Sequence, residues 1–124
     1  MADARIQPLR VLVVDDDPLA RAAVRRAVSH LAHVAVQDFA SGLDALAACA
    51  STRFDVAVLD LQMPAIDGVA LAHRVRVLFP SIRLVFMSSD LDGPLAAGAR
   101  TLAPLLPKPW PHAEMVRLVL GLTR

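Results

Sequence analysis

Leu9-Arg10-Val11-Leu12-Val13-Val14-Asp15-Asp16-Asp17-Pro18 is the stretch that decides the architecture of this 124-residue chain. After Arg10 the run is apolar and mostly β-branched, with no alternation of polar residues, the pattern of a strand buried on both faces. Such strands belong to parallel sheets covered by helices on either side. Three aspartates end the run, and Asp17 followed by Pro18 makes an N-cap and first-turn pair. Ala20, Val24, Ala27, Val28 and Leu31 then recur at helical spacing, so a strand passes into a helix through a short acidic loop.

The same alternation continues outward. Val34 to Phe39 reads as a second strand, and Ser41 with Asp44 three residues later resembles a capping box opening a second helix. Asp55 to Asp60 repeats the buried-strand pattern, and a loop with Pro64 and Gly68 leads to a helix from about Val69 to Phe79, stopped by Pro80. Ile82 to Met87 forms a fourth strand ending at Ser88 and Ser89. Gly93, Pro94 and Gly98 make the next stretch a poor helix, short or irregular. Leu102 to Leu106 reads as a fifth strand, placed at a sheet edge because Pro104 and Pro107 cannot donate to a ladder. Pro111 starts a last helix with Met115, Leu118, Val119 and Leu122 on its inner side. Parallel crossovers are nearly always right-handed, so five strands alternating with helices give a doubly wound open sheet in one α/β domain over residues 1–124.

Composition narrows the function. Hydrophobic residues make up 56% and charged residues 20%, a balance suited to a packed globular core. No apolar run approaches the roughly 20 residues that span a bilayer. Met1 to Gln7 carries Asp3 and Arg5 and lacks a secretory apolar core, so the cytoplasm is the expected location. Net charge is +1, which gives no global field for nucleic acid or an anionic membrane. Cys49 is the sole cysteine and reads as a buried helix thiol, excluding an internal disulfide and a multi-cysteine metal site. His30, His33, His73 and His112 share no metal spacing and read as surface imidazoles, and Trp110 reads as a packed anchor. Arg21, Arg25 and Arg26 fall on a helix face expected to point to water.

Ligands of open parallel sheets bind beyond the carboxyl ends of the strands. The residues standing there are Asp15, Asp16, Asp60, Ser88 and Lys108. Strand order 2-1-3-4-5 makes the first and third strands neighbours, about 4.8 Å apart, so their terminal carboxylates converge. Two such charges ~4 Å apart cost about 4 kcal/mol at an effective dielectric near 20. Protonating one acid or binding a hard divalent cation relieves that repulsion; an all-oxygen donor set with room for water suits Mg²⁺ or Mn²⁺, and Mg²⁺ is the expected ion. Lys108 is then placed to neutralise an incoming phosphoryl group, with the Ser88 hydroxyl donating to one of its oxygens.

Val13-Val14-Asp15-Asp16-Asp17-Pro18, Asp60-Leu61-Gln62-Met63-Pro64 with Asp67-Gly68, Met87-Ser88-Ser89 and Lys108-Pro109-Trp110 together resemble the receiver-domain signature of two-component response regulators, in order and over nearly the whole chain. The resemblance implies a flavodoxin-like fold with Asp60 as nucleophile and phosphorylation site. It also implies Mg²⁺ held by Asp15, Asp16, Asp60 and the backbone carbonyl of Gln62. Asp17 is left to cap the first helix. Ser88 takes the place of the hydroxyl switch residue and Lys108 that of the phosphate-contacting lysine, with a cis Lys108-Pro109 bond. Gln62 and Asp90 stand where family members tune hydrolysis of the aspartyl phosphate. The phosphoryl donor implied is a histidine kinase or histidine phosphotransfer protein, and the chain is expected to catalyse only its own phosphorylation and slow dephosphorylation. The arginines of the first helix lie on a face that receivers offer to kinases.

The sequence departs from the family pattern at Leu105, where an aromatic switch residue usually stands, and in the shortened interval from Ser88 to Lys108. A second reading is therefore a receiver-like interaction module that phosphorylation no longer switches. A phosphatase of the haloacid-dehalogenase type is disfavoured, because Asp60-Leu61-Gln62-Met63 lacks the second aspartate it needs. The resemblance leaves open whether the chain acts alone, as a phosphorelay shuttle, or with an output domain as part of a larger regulator or hybrid kinase.

Overall fold

Leu9–Val14 forms β1, and its four valines and leucines after Arg10 are fully buried because helices cover both faces of the strand. The computed structural model describes residues 7–122, so all but Gln7 of the N-terminal segment lies outside the described residues. The remaining elements are α1 (Pro18–Val28), β2 (Val34–Phe39), α2 (Gly42–Cys49), β3 (Val56–Asp60), α3 (Gly68–Leu78), β4 (Arg83–Ser88), α4 (Gly93–Arg100), β5 (Leu105–Pro107) and α5 (His112–Leu120). All strand pairs are parallel and the sheet order is β2-β1-β3-β4-β5, as the alternation requires.

Successive side chains of a strand point to opposite faces, and the two cores divide on that period. Leu12, Val14, Ala57, Leu59, Leu84 and Phe86 pack with α2, α3 and α4, including Ala45, Leu71, Val75, Ala96 and Ala99. Val11, Val13, Val56, Val58, Val85 and Met87 pack with Val24, Ala27 and Val28 of α1 and Met115 and Val119 of α5. Each fully buried side chain of this size contributes about 1.5–3 kcal/mol, so these two faces hold the strand ends rigidly.

The caps read from the sequence are present. The Asp17 carboxylate accepts from the Leu19 N–H and the Ser41 hydroxyl from the Asp44 N–H; the structure adds a third cap, the Asp67 carboxylate accepting from the Ala70 N–H. Cys49 is buried on α2, the four histidines are exposed, and Trp110 packs against the α1–α5 core.

The expected short fourth helix is present, and three other expectations need correction. The stretch after β4 forms a helix of eight residues, α4. Gly93 sits at its start with φ of +92°, and Pro94 occupies the first turn, where no backbone donor is needed. β5 begins at Leu105 rather than Leu102, because Leu102 and Ala103 turn back to donate to the Ala99 carbonyl at the end of α4. Leu122 lies past the glycine cap of α5 and is exposed, not on the inner side. The arginine face of α1 is not simply solvated: Arg21 and Arg25 both bind Asp38 of β2, at 2.9 and 2.8 Å.

Candidate functional site

β1 and β3 are adjacent, with Val14 opposite Leu59, so the residues that follow meet at the carboxyl end of the sheet. Oxygens from Asp15, Asp16 and Asp60 lie within 4.8 Å of one another. Asp15 is fully buried and Asp60 is 5% exposed, whereas Asp16 is open to solvent. Lys108, delivered by the end of β5, reaches across to Asp15 Oδ2 at 2.6 Å and to Asp60 Oδ1 at 3.2 Å. Its backbone N–H donates to the Ser88 carbonyl, and the following Lys108-Pro109 peptide is cis, as anticipated.

Three acids against one lysine leave the crevice short of positive charge. Burial pushes the Asp60 carboxyl up, and the adjacent Asp15 charge adds to it; the attraction of Lys108 does not compensate, and the pKa stands at about 6. For Lys108, burial works against the ammonium, but its bonds to Asp15 and Asp60 outweigh burial and raise its pKa. Asp15 Oδ1 accepts from the Asp17 N–H, while the buried Oδ2 has no partner besides the ammonium. An under-donated carboxylate oxygen beside two further acids fits an oxygen-ligated cation such as Mg²⁺. It fits no softer metal, since no sulfur or imidazole belongs to the cluster.

Ser88 ends β4 one position past the pairing of Asp60 with Met87, and it is buried. Its hydroxyl is engaged within its own loop, donating to the Asp90 carbonyl at 2.8 Å and accepting from the Asp90 N–H at 3.0 Å. Asp90 and Gln62 are exposed. Leu105 lies on the α4 side of the sheet, partly buried against the core there.

Two contacts were not readable as such in the sequence. A Cβ on Gly68 would stand 2.3 Å from the Asp60 carbonyl oxygen, so the first residue of α3 must lack a side chain for the helix to sit against the nucleophile's backbone. A glycine opening a helix, where it is a poor helix former, is the signal that marks such an approach. Arg21 donates to the backbone carbonyl of Asp15 at 2.8 Å, a bond between α1 and the end of β1 that no motif announces.

Fold and crevice together define a doubly wound α/β domain with an acidic strand-end pocket faced by one lysine. The chain belongs to the response regulator receiver domain family, whose model matches residues 11–119. It is 37% identical to the DNA-binding transcriptional regulator NtrC of Salmonella typhimurium over 88% of this chain and 24% of that protein. It is also 32% identical to the response regulator MprA of a Mycobacterium species over 94% of this chain and 51% of that protein. The chain thus spans about a quarter and about half of these relatives. Among solved structures, the signal receiver domain of NarL from Mycobacterium tuberculosis superposes with a TM-score of 0.79 at 34% identity, covering 93% of this chain and 95% of that one. Among the described residues, no helix is long and apolar enough to cross a membrane.

Proposed function

We propose that residues 1–124 form one receiver domain that takes a phosphoryl group onto Asp60 from the phosphohistidine of a histidine kinase or histidine phosphotransfer protein, in the cytoplasm. The observation that carries this reading is the buried Asp60 carboxylate clustered with two further acids and 3.2 Å from Lys108. An Asp60 oxygen attacks phosphorus in line with the imidazole nitrogen; the P–O bond forms as the P–N bond breaks, and the imidazole leaves carrying a proton. Asp15, Asp16, Asp60 and the Gln62 backbone carbonyl would hold Mg²⁺, whose role when bound is to neutralise charge on the phosphoryl oxygens and to keep Asp60 ionised. Lys108 supplies the opposing positive charge, donating to a phosphoryl oxygen once Asp60 carries the acyl phosphate. Ser88 serves the same group by turning its hydroxyl away from Asp90. Gln62 and Asp90 govern how water reaches the aspartyl phosphate.

The chain is in this reading a phosphoacceptor that acts on itself and not a turnover enzyme. Its output runs to a partner protein or attached domain, with no direct contact to nucleic acid or membrane. With leucine at position 105, Ser88 would couple to α4 through backbone shifts and leucine repacking. The alternative, an interaction module with a silent site, has nothing in the crevice to favour it, since the three acids and the lysine are all in reach of one another.

Borohydride trapping tests the assignment. After phosphorylation, reductive cleavage of the acyl phosphate should convert Asp60 alone to homoserine. Conversion of Asp15 or Asp16, or acid-labile phosphate on a histidine, would overturn it.

A further inference from the structure

Arg21 is tied at both ends of its guanidinium. Nε donates to Asp38 Oδ2 at 2.9 Å and a terminal nitrogen donates to the Asp15 carbonyl at 2.8 Å. Asp38 is itself held from the other side, its Oδ1 accepting from Arg25 Nε at 2.8 Å, and Arg25 also reaches the Val36 carbonyl at 3.2 Å. The Asp15 N–H meanwhile donates to the Phe39 carbonyl at 3.2 Å. The Asp15 carbonyl belongs to the peptide that links Asp15 to Asp16. Fixing that carbonyl therefore fixes the direction in which two of the three crevice carboxylates leave the chain.

We infer that Arg21 is a positioning residue for the acidic crevice, aligning the Asp15–Asp16 peptide through a brace anchored on Asp38; the inference rests on reading the crevice as a Mg²⁺ site. The planar fork of arginine is needed because two acceptors, one on β2 and one just past the end of β1, must be met at once, which an ammonium does not do with fixed geometry. Of the two arginines on Asp38, only Arg21 reaches the site, so Arg25 supplies an internal control.

The sign of the effect separates positioning from simple electrostatics. Removing a fixed cation close to a metal site should, on Coulomb's law alone, tighten cation binding. Loss of alignment should weaken it, by about tenfold if Arg21 acts as outer partners of metal ligands do. Titrating the whole chain with Mg²⁺ alone, by calorimetry, reads this directly. Arg21→Gln is expected to bind about tenfold more weakly than the parent, and Arg25→Gln like the parent despite losing its own bonds to Asp38 and Val36. Equal or tighter binding by Arg21→Gln overturns the inference, and equal weakening in both variants assigns the brace a general structural role and overturns it too. No Mg²⁺ binding by the parent chain sinks the crevice reading itself, and this inference with it. Should Arg21→Gln fail to fold, Arg21→Lys keeps the charge; a smaller loss in the same direction supports positioning, and unchanged affinity contradicts it.

Discussion

Two clusters of charge flank the first turns of α1, and their stoichiometries are opposite. At β2, one carboxylate, Asp38, meets two guanidinium groups. At the ends of β1 and β3, three carboxylates meet one ammonium. Partial burial pushes the Asp38 carboxyl up, but Arg25 and Arg21 outweigh it and hold the pKa below the ordinary value. At Asp60, burial and the Asp15 charge prevail over Lys108 and lift the pKa to about 6. The same residue type is thus a satisfied structural anion in one cluster and an unsatisfied one in the other. Protein interiors ordinarily pair their charges, so the cluster that does not is where a cation and a phosphoryl group have work to do.

The largest way to break the contrast is to remove the lone cation of the crevice. Lys108→Ala should slow phosphoryl uptake from a small donor about a hundredfold at saturating Mg²⁺, the scale of losing one charged donor to a transition state. Single-turnover kinetics would read it, and an unchanged rate would remove Lys108 from the proposed chemistry.

Deleting one crevice charge should instead stabilise the metal-free fold. Asp60 has a raised pKa, so folding favours its protonated form. The cost of ionising it is complete above about pH 6 and absent below the ordinary value of 3.8, where the carboxyl is protonated folded or unfolded. Asp60→Asn in EDTA is therefore expected to gain about 2–3 kcal/mol at pH 7.5, on the scale of 1.36 kcal/mol per unit, and nothing near pH 3.5. Denaturant titrations at both pH values check this. A gain of equal size at both would refute the electrostatic origin.

Mg²⁺ should act on the crevice alone. At ten times its dissociation constant it should add about 1.4 kcal/mol to the parent chain. Thermal melts of the Asp15→Asn chain should show a much smaller gain, and equal stabilisation would locate the cation elsewhere.

The smallest change is expected in the satisfied cluster. Asp38→Asn should lose on the order of 1 kcal/mol near neutrality, the range for a partly exposed charge-assisted pair. Because the folded-state pKa of Asp38 is lowered, that contribution is present above the unfolded value and fades as the pH falls through the folded one. Asp38→Asn and Asp60→Asn should thus move stability in opposite directions at pH 7.5, and a shared direction would dissolve the comparison.

How much of this was readable from the sequence follows the range of the interactions. The buried runs ending at Val14 and Leu59 carry their own period and their own stop, so the strands, the order of the sheet and the meeting of Asp15, Asp16 and Asp60 were legible. The caps at Asp17 and Ser41 were legible because each bonds within three residues, whereas Asp67, which caps α3 in the same way, stood in a motif that drew attention to its glycine neighbour instead. The start of β5 was misread because Leu102 and Ala103 are as apolar as a strand but close the α4 turn, a choice made by a carbonyl and not by hydropathy. That α4 is short was legible from its glycines and proline, but not that Gly93 and Pro94 would sit at its first turn, where they do no harm to the helix interior. The pairing of Arg21 with Asp38 spans 17 residues and appears only once β2 lies beside β1.

The central claim is that Asp60 is a metal-dependent phosphoryl acceptor. Intact mass after incubation with acetyl phosphate and Mg²⁺, beside the Asp60→Asn chain and an EDTA control, tests it most directly. One phosphoryl adduct is expected on the parent chain and none in either control. An adduct that survives Asp60→Asn, or none under any condition, would contradict it.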